Sequence, residues 1–225
     1  MGRDNILLTY VGIDMLFVAT GALLIIFALE TQAESAKEFT KDTVVRDLLL
    51  GMCPLNAAIA NAVLVFITFL ISIPAIVIPS TRGWLKLHGY LTVICALFTL
   101  NIGLSIWFET LRTRKNLSEI WIHQPPQTQS LLQQTLQCCG YANSTSPPFV
   151  QDSFCTSATK AAGELGCVTP FSKEANNFLD LVFTGAFGIV GIDVVLVITT
   201  AILLKDRKEK ERYRFIDEKN GAGAF

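Results

Sequence analysis

Charged residues are scarce in this chain, and histidine is scarcer still. Only 16% of the 225 residues are Asp, Glu, Lys or Arg, whereas a soluble domain has about 25%. The net charge is −1, and no polybasic block precedes residue 205, so the sequence does not favour nucleic-acid binding. The histidines are His88 and His123, and there is no Cys-x-x-Cys pair, glycine-rich phosphate loop or cluster of metal ligands. We therefore expect a protein that is not an enzyme and has no cofactor.

Four strongly apolar stretches lack Lys and Arg altogether. They cover residues 6–29, 55–78, 88–108 and 178–204. A helix needs about 20 apolar residues to cross the hydrocarbon core of a bilayer. In a soluble protein, four such helices would leave too little polar surface to cover them. The sequence predicts an all-α membrane protein with a four-helix transmembrane bundle.

An even number of spans places both termini on one side of the membrane. The predicted segments outside the spans are an N-terminus, a small loop, a tight loop, a large loop and a tail, at residues 1–5, 30–54, 79–87, 109–177 and 205–225. The tight loop and the tail are basic, which places them in the cytoplasm. The large loop also has basic residues near the membrane, which would favour a cytoplasmic location for it: Arg112, Arg114 and Lys115. The cysteines of the large loop favour the outer side, because structural disulfides need an oxidising compartment.

Four of the six cysteines lie in the large loop, at Cys138, Cys139, Cys155 and Cys167. Four cysteines allow three pairings. A bond between the adjacent pair would strain the peptide between them, which leaves two. The sequence therefore predicts a small disulfide-stapled, partly helical extracellular domain.

The large loop also carries helix signals. We expect residues 111–122 to continue the third span until the prolines at 125 and 126 interrupt the helix. Leucines at helical spacing predict a second helix over residues 128–137, with Gly140 as its stop.

Two glycosylation sequons begin at Asn143 and Asn116, both in the loop predicted to be outside. We expect Asn143 to be the better acceptor, because it lies in a turn-rich region, whereas Asn116 is close to the bilayer.

Three polar side chains interrupt the predicted spans: Asp14, Asn101 and Asp193. By helical rise they lie about 12, 20 and 17 Å from the cytoplasmic ends of their spans. Polar groups at such depths usually face a partner or a cavity. We expect these three to meet in the interior of the bundle.

Four spans, a small first and a large second outer loop, and the run Cys138-Cys139-Gly140 resemble the tetraspanin family over essentially the whole chain. The resemblance implies that Cys138 pairs with Cys167 and Cys139 with Cys155. The third cysteine departs from the family, since residues 151–154 read Gln-Asp-Ser-Phe where Pro-x-x or Pro-x-Ser is common.

The resemblance also implies a function. Tetraspanins are non-enzymatic scaffolds that organise other membrane proteins, tetraspanins included, into microdomains. This chain is most similar to the fungal kind, which is linked to polarised growth and to host penetration by infection structures. In the family, polar groups in spans one and four contact sterol, which implies membrane-lipid and sterol contact for Asp14 and Asp193. Their residue types differ from the family's usual Asn and Glu or Gln.

The tail contains Tyr213-Arg214-Phe215-Ile216, which fits the pattern of Tyr followed at the third position by a bulky apolar residue. This pattern predicts a sorting signal, formed by Tyr213 and Ile216, for a clathrin adaptor. We expect a multi-pass protein of the plasma membrane and of endosomal or vacuolar membranes.

Two other functions compete with the scaffold. One is a four-span thiol-disulfide oxidoreductase that uses the loop cysteines, although such enzymes normally use a Cys-x-x-Cys pair. The other is a small ion-coupled transporter that uses Asp14 and Asp193.

Overall fold

The structure is a computed structural model that describes residues 3–35, 38–78 and 82–221. The described residues form helices and no strand, apart from two isolated β-bridges between residues 143 and 148. The helices are α1 (Arg3–Ser35), α2 (Val44–Leu50), α3 (Leu55–Val77), α4 (Arg82–Leu111), α5 (Thr113–His123), α6 (Pro126–Leu136), α7 (Ala158–Gly163) and α8 (Val168–Asn220).

Four of these helices are long and apolar enough to cross a membrane. The qualifying segments are Asn5–Ala33 in α1, Leu55–Val77 in α3, Arg82–Glu109 in α4 and Val168–Lys219 in α8. A bilayer core of about 30 Å needs about 20 residues of helix, so each segment is long enough. The predicted class, an all-α multi-pass membrane protein, is confirmed.

The helices extend beyond the predicted spans. α4 begins at Arg82, inside the predicted tight loop, and α8 continues through the predicted tail to Asn220. The tail is rich in Lys, Arg and Glu, which favour helix, and Lys210 pairs with Asp206 one turn earlier at 2.6 Å. Residues 1–2, 36–37, 79–81 and 222–225 of the predicted segments lie outside the described residues.

The chain divides into two compact units. The first comprises Met1–Ile26, Asn56–Asn101 and Ala186–Phe225, within the described ranges. Its core takes side chains from α1, α3, α4 and α8: Tyr10, Phe17, Val65, Ala75, Leu85, Cys95, Leu196 and Leu203. At Gly21 a Cβ would lie 2.7 Å from Cγ1 of Val65, so α1 and α3 approach closely there. Small residues permit such close packing of membrane helices.

The second unit comprises Phe27–Leu55 and Ile102–Gly185. Its core combines both loops: Val44, Leu49, Leu117, Trp121, Leu132, Cys138, Tyr141, Cys167, Phe171 and Ala175. Val44 and Leu49 belong to α2, a helix of the small loop that the sequence analysis did not predict. The hydroxyl of Thr135 also donates to the carbonyl of Lys41 at 2.8 Å. The small loop is therefore part of the folded unit.

Both helices predicted in the large loop are present, as α5 and α6, but two details of their ends are wrong. The helix predicted to continue through residues 111–122 breaks at Arg112, where φ is −113° and ψ is 12°. The helix predicted to stop at Gly140 ends earlier, because Gln137 adopts the left-handed conformation with φ 51° and ψ 56°. Gly140, with φ 72°, belongs to the turn that follows.

Candidate functional sites: a disulfide-linked loop unit and a buried polar cluster

The structure joins Cys138 to Cys167 and Cys139 to Cys155, which is the pairing that the tetraspanin resemblance implies. The Cα atoms are 5.0 and 5.9 Å apart, and all four side chains are fully buried. The first disulfide lies in the main core of the second unit. The second forms a separate small cluster with Ala161, against which Phe149 and Phe154 pack. The two bonds therefore fix two different parts of the loop.

Main-chain hydrogen bonds join the Cys138-Cys139-Gly140 run to the segment before α8. The amide of Cys139 donates to the carbonyl of Leu165 at 3.0 Å, and the amide of Cys167 donates to Gly140 at 2.9 Å. A Cβ at Gly166 would overlap the carbonyl oxygen of Ala142. Only a glycine permits this approach of the two segments, so Gly166 is a structural residue that the sequence analysis missed.

Gln133 on α6 holds the turn that follows the disulfides. Its side chain is fully buried. Its Nε2 donates to the carbonyl of Val150 at 2.7 Å and to Oδ2 of Asp152 at 2.8 Å, and its Oε1 accepts from the amides of Gly140 and Val150, both at 3.1 Å. Two donors and two acceptor positions are thus used, which is the full capacity of an amide side chain.

Asp152 completes this network at the place where the sequence departs from the tetraspanin pattern. Its Oδ1 accepts from the amides of Phe154 at 2.8 Å and Cys155 at 2.7 Å. An Asp that accepts from the amides two and three residues later forms an Asx turn. The turn positions Cys155 without the proline that tetraspanins commonly have before the corresponding cysteine.

The two sequons differ in their surroundings. Asn143 is exposed, and its Oδ1 accepts from the amide and the hydroxyl of Thr145, both at 2.9 Å. Asn116 is half-buried, and its Nδ2 donates to Oε2 of Glu109. Because a glycan is attached at Nδ2, the exposed Asn143 stays the predicted acceptor.

A cluster of buried polar side chains from α1, α3 and α4 surrounds Asp14. Asp14 accepts a hydrogen bond from the hydroxyl of Ser72, and its Oδ1 lies 3.3 Å from Nε2 of His88. The Nδ1 of His88 lies 3.0 Å from the hydroxyl of Tyr10. All four residues are fully buried. The sequence does not reveal the roles of Tyr10, Ser72 and His88, because their convergence depends on how the helices face one another.

The other two predicted intramembrane residues behave differently. Asp193 is 1% exposed, and neither carboxylate oxygen has a hydrogen-bond partner among the described residues. Asn101 is exposed, so the prediction that it faces the interior is wrong. The buried residues of α4 follow helical spacing at His88, Thr92, Cys95 and Thr99, and position 101 falls on another face. The buried polar contact near position 101 is instead a hydrogen bond of 2.8 Å from Nδ2 of Asn61 to the hydroxyl of Thr99.

The predicted sorting signal lies on α8. Tyr213 is 62% exposed and Ile216 is 42% exposed. On a helix, residues three apart lie on one face. The two side chains are therefore accessible together, within a helical segment.

Among the described residues, no group of three or more His, Cys, Asp or Glu side chains is arranged to hold a metal ion. Comparisons with protein-family models, with curated proteins and with solved structures found no match to this chain.

Proposed function

We propose that this chain is a tetraspanin-like scaffold that organises partner membrane proteins laterally into microdomains. The observation that carries the proposal is the construction of the second unit. Two buried disulfides, the main-chain bonds around Gly140 and the saturated amide of Gln133 hold its loop in one conformation. A surface that is ordered before binding loses less entropy when a partner docks, which suits a protein whose role is binding.

The second unit also exposes apolar side chains that a partner would cover. Leu165, next to the disulfide region, is 76% exposed, and Ile122, at the end of α5, is 59% exposed. Single exposed apolar residues are common, but in a cross-linked unit they offer fixed contact points. We propose the plasma membrane, with endosomal or vacuolar membranes, as the location. Polarised growth or host penetration by a fungal infection structure is the process that the resemblance implies.

The experiment is affinity purification of the full chain in a mild detergent, followed by identification of the membrane proteins that co-purify. The variant Ile122→Ser with Leu165→Ser removes two exposed apolar contacts without entering the core. We expect it to reduce co-purifying proteins at least about fivefold, which corresponds to roughly 1 kcal/mol. Ala162→Ser, another exposed position of the same unit, is the control and should change nothing. An unchanged set of partners in the double variant would argue against the scaffold surface.

A second candidate, ion-coupled transport, is favoured by the buried carboxylates. Asp14 lies beside His88 in a low-dielectric setting, and Asp193 has no hydrogen-bond partner among the described residues. Intramembrane carboxylates and histidines of this kind occur in proton relays. Proton flux into liposomes that contain the full chain tests this candidate. Flux that Asp14→Asn and Asp193→Asn leave unchanged would count against it.

A further inference from the structure

A cavity of about 470 Å³ lies in the first unit, where the start of α1, the end of α3 and the start of α4 meet residues 203–214 of α8. One part of its wall is apolar and comes from Leu7, Ile76, Val77 and Leu203. The other part is charged and comes from Arg82, Asp206, Arg207, Lys210, Glu211 and Arg214. An amphipathic cavity of this kind suits a ligand with one charged and one apolar end.

The charges around the cavity do not balance. Among the residues that the structure describes, four cations and two anions line it. Both anions already have cationic partners, because Glu211 pairs with Arg82, and Asp206 pairs with Lys210 at 2.6 Å. The described lining therefore carries a net charge of +2, from four cations and two anions, and the cavity attracts an anion.

Arg207 provides the second observation. It is 8% exposed, and its Nη1 is buried without a hydrogen-bond partner among the described residues. Nε of Arg82 is also buried and has no hydrogen-bond partner among the described residues. A buried guanidinium nitrogen without an acceptor is destabilising, because it has lost its hydrogen bonds to water and has formed no others. A ligand oxygen placed in the cavity would supply the missing acceptor.

We propose that this cavity binds a phosphate group, with Arg207 as the central donor and Arg82 and Arg214 beside it. The planar guanidinium fork matches phosphate oxygens in geometry and charge. The apolar wall formed by residues such as Ile76 and Leu203 suits the acyl part of a phospholipid. A lipid headgroup and free phosphate share this chemistry, and the experiment separates them. The proposal does not depend on the scaffold function.

The test uses the full chain, purified in detergent and stripped of endogenous lipid. One arm measures binding of phosphatidylinositol 4-phosphate against phosphatidylcholine by native mass spectrometry. The other arm titrates inorganic phosphate by calorimetry. Binding of the phosphoinositide alone assigns the lipid headgroup, and comparable binding of inorganic phosphate assigns a free anion. Absence of binding in both arms overturns the proposal.

Matched variants locate the site. Arg207→Gln should weaken binding at least about tenfold, because it removes a charge-assisted donor. Arg212→Gln removes an arginine from the same helix at an exposed position that does not line the cavity, and it should change affinity less than about twofold. Equal losses in the two variants would indicate diffuse attraction and overturn the proposal. If Arg207→Gln does not fold, Arg214→Gln replaces it, since Arg214 is exposed at the cavity edge, and normal binding by that variant overturns the proposal.

Discussion

Nε2 of His88 lies 3.3 Å from Oδ1 of Asp14, and both side chains are buried, at 0% and 1% exposure. Removing one of the two side chains leaves the facing atom of the other without its neighbour in a medium of low dielectric constant, while Ser72 still donates to Asp14 and Tyr10 still contacts His88. Replacing both residues by apolar side chains removes both facing atoms; the hydroxyl of Tyr10 then loses its partner, whereas Ser72 keeps its bond to the carbonyl of Phe69. We therefore expect the double variant of this pair to be more stable than either single variant.

Asp14→Leu and His88→Leu should each destabilise the protein by about 1–3 kcal/mol, because each leaves one buried polar atom unsatisfied, and the double variant should be more stable than either single variant. Thermal unfolding of the full chain in detergent measures the order. The control is Met15→Leu, which changes an exposed neighbour of Asp14 and should be nearly neutral. Additive losses in the double variant would show that the two side chains act independently.

Gln133 is predicted to be the least replaceable polar residue of the second unit. Gln133→Leu leaves four hydrogen-bonding groups of Gly140, Val150 and Asp152 without their partner, at about 1–3 kcal/mol for each group that stays buried. We expect rapid proteolysis between residues 141 and 156 of the full chain. Gln134→Leu is the control, because Gln134 is half-buried and bonds only to Ser130 among the contacts described, and its cleavage rate should match the wild type. Equal cleavage of both variants would contradict this role of Gln133.

These two predictions show what the sequence reveals and what it does not. The four apolar stretches and the cysteine cluster are local in sequence, so they predict the spans and the stapled loop directly. The partners of Gln133 lie 7 to 19 residues away, and His88 is separated from Asp14 by two helices. Such contacts depend on which faces of the helices meet. The helix α2 could not be predicted for another reason. It has seven residues, too few for a long apolar period, and it is stabilised by packing on a core that the sequence does not display.

Glycines 163 and 166 form a natural pair of test positions. Gly166→Ala forces a Cβ into the backbone of Tyr141 and Ala142 and should cost about 1–3 kcal/mol or more. Gly163→Ala meets nothing within 4 Å at the end of α7, so it should be neutral or slightly stabilising. The measurement is the fraction of each variant that leaves the endoplasmic reticulum. Retention of Gly166→Ala alone is expected, and normal delivery of that variant would show that the loop backbone can shift.

The two disulfides are predicted to differ in importance. The disulfides close loops of 29 and 16 residues, and in the chain-entropy model each contributes about 3–4 kcal/mol to the free energy of unfolding. The loop lengths alone therefore predict similar effects. Cys138 and Cys167 lie in the main core, whereas Cys139 and Cys155 lie in the small cluster. Cys138→Ser should therefore cause nearly complete retention in the endoplasmic reticulum, and Cys139→Ser a partial loss of surface delivery.

Both bonds should resist mild reductant in the folded wild type, because their sulfurs are buried. Rapid reduction would instead favour a thiol-disulfide oxidoreductase.

Cys53 is predicted to be a slow nucleophile until the solution is strongly alkaline. Burial raises the pKa of its thiol from 9.0 to about 11, so the folded chain holds about a hundredfold less thiolate at pH 7 than the unfolded chain. In a Cys95→Ala background, iodoacetamide should alkylate the folded protein correspondingly slowly. Its rate should rise about tenfold per pH unit up to pH 10, whereas the rate for the urea-unfolded chain should level off above pH 9. A folded rate that also levels off near pH 9 would show that the Cys53 thiol is solvated like a free cysteine.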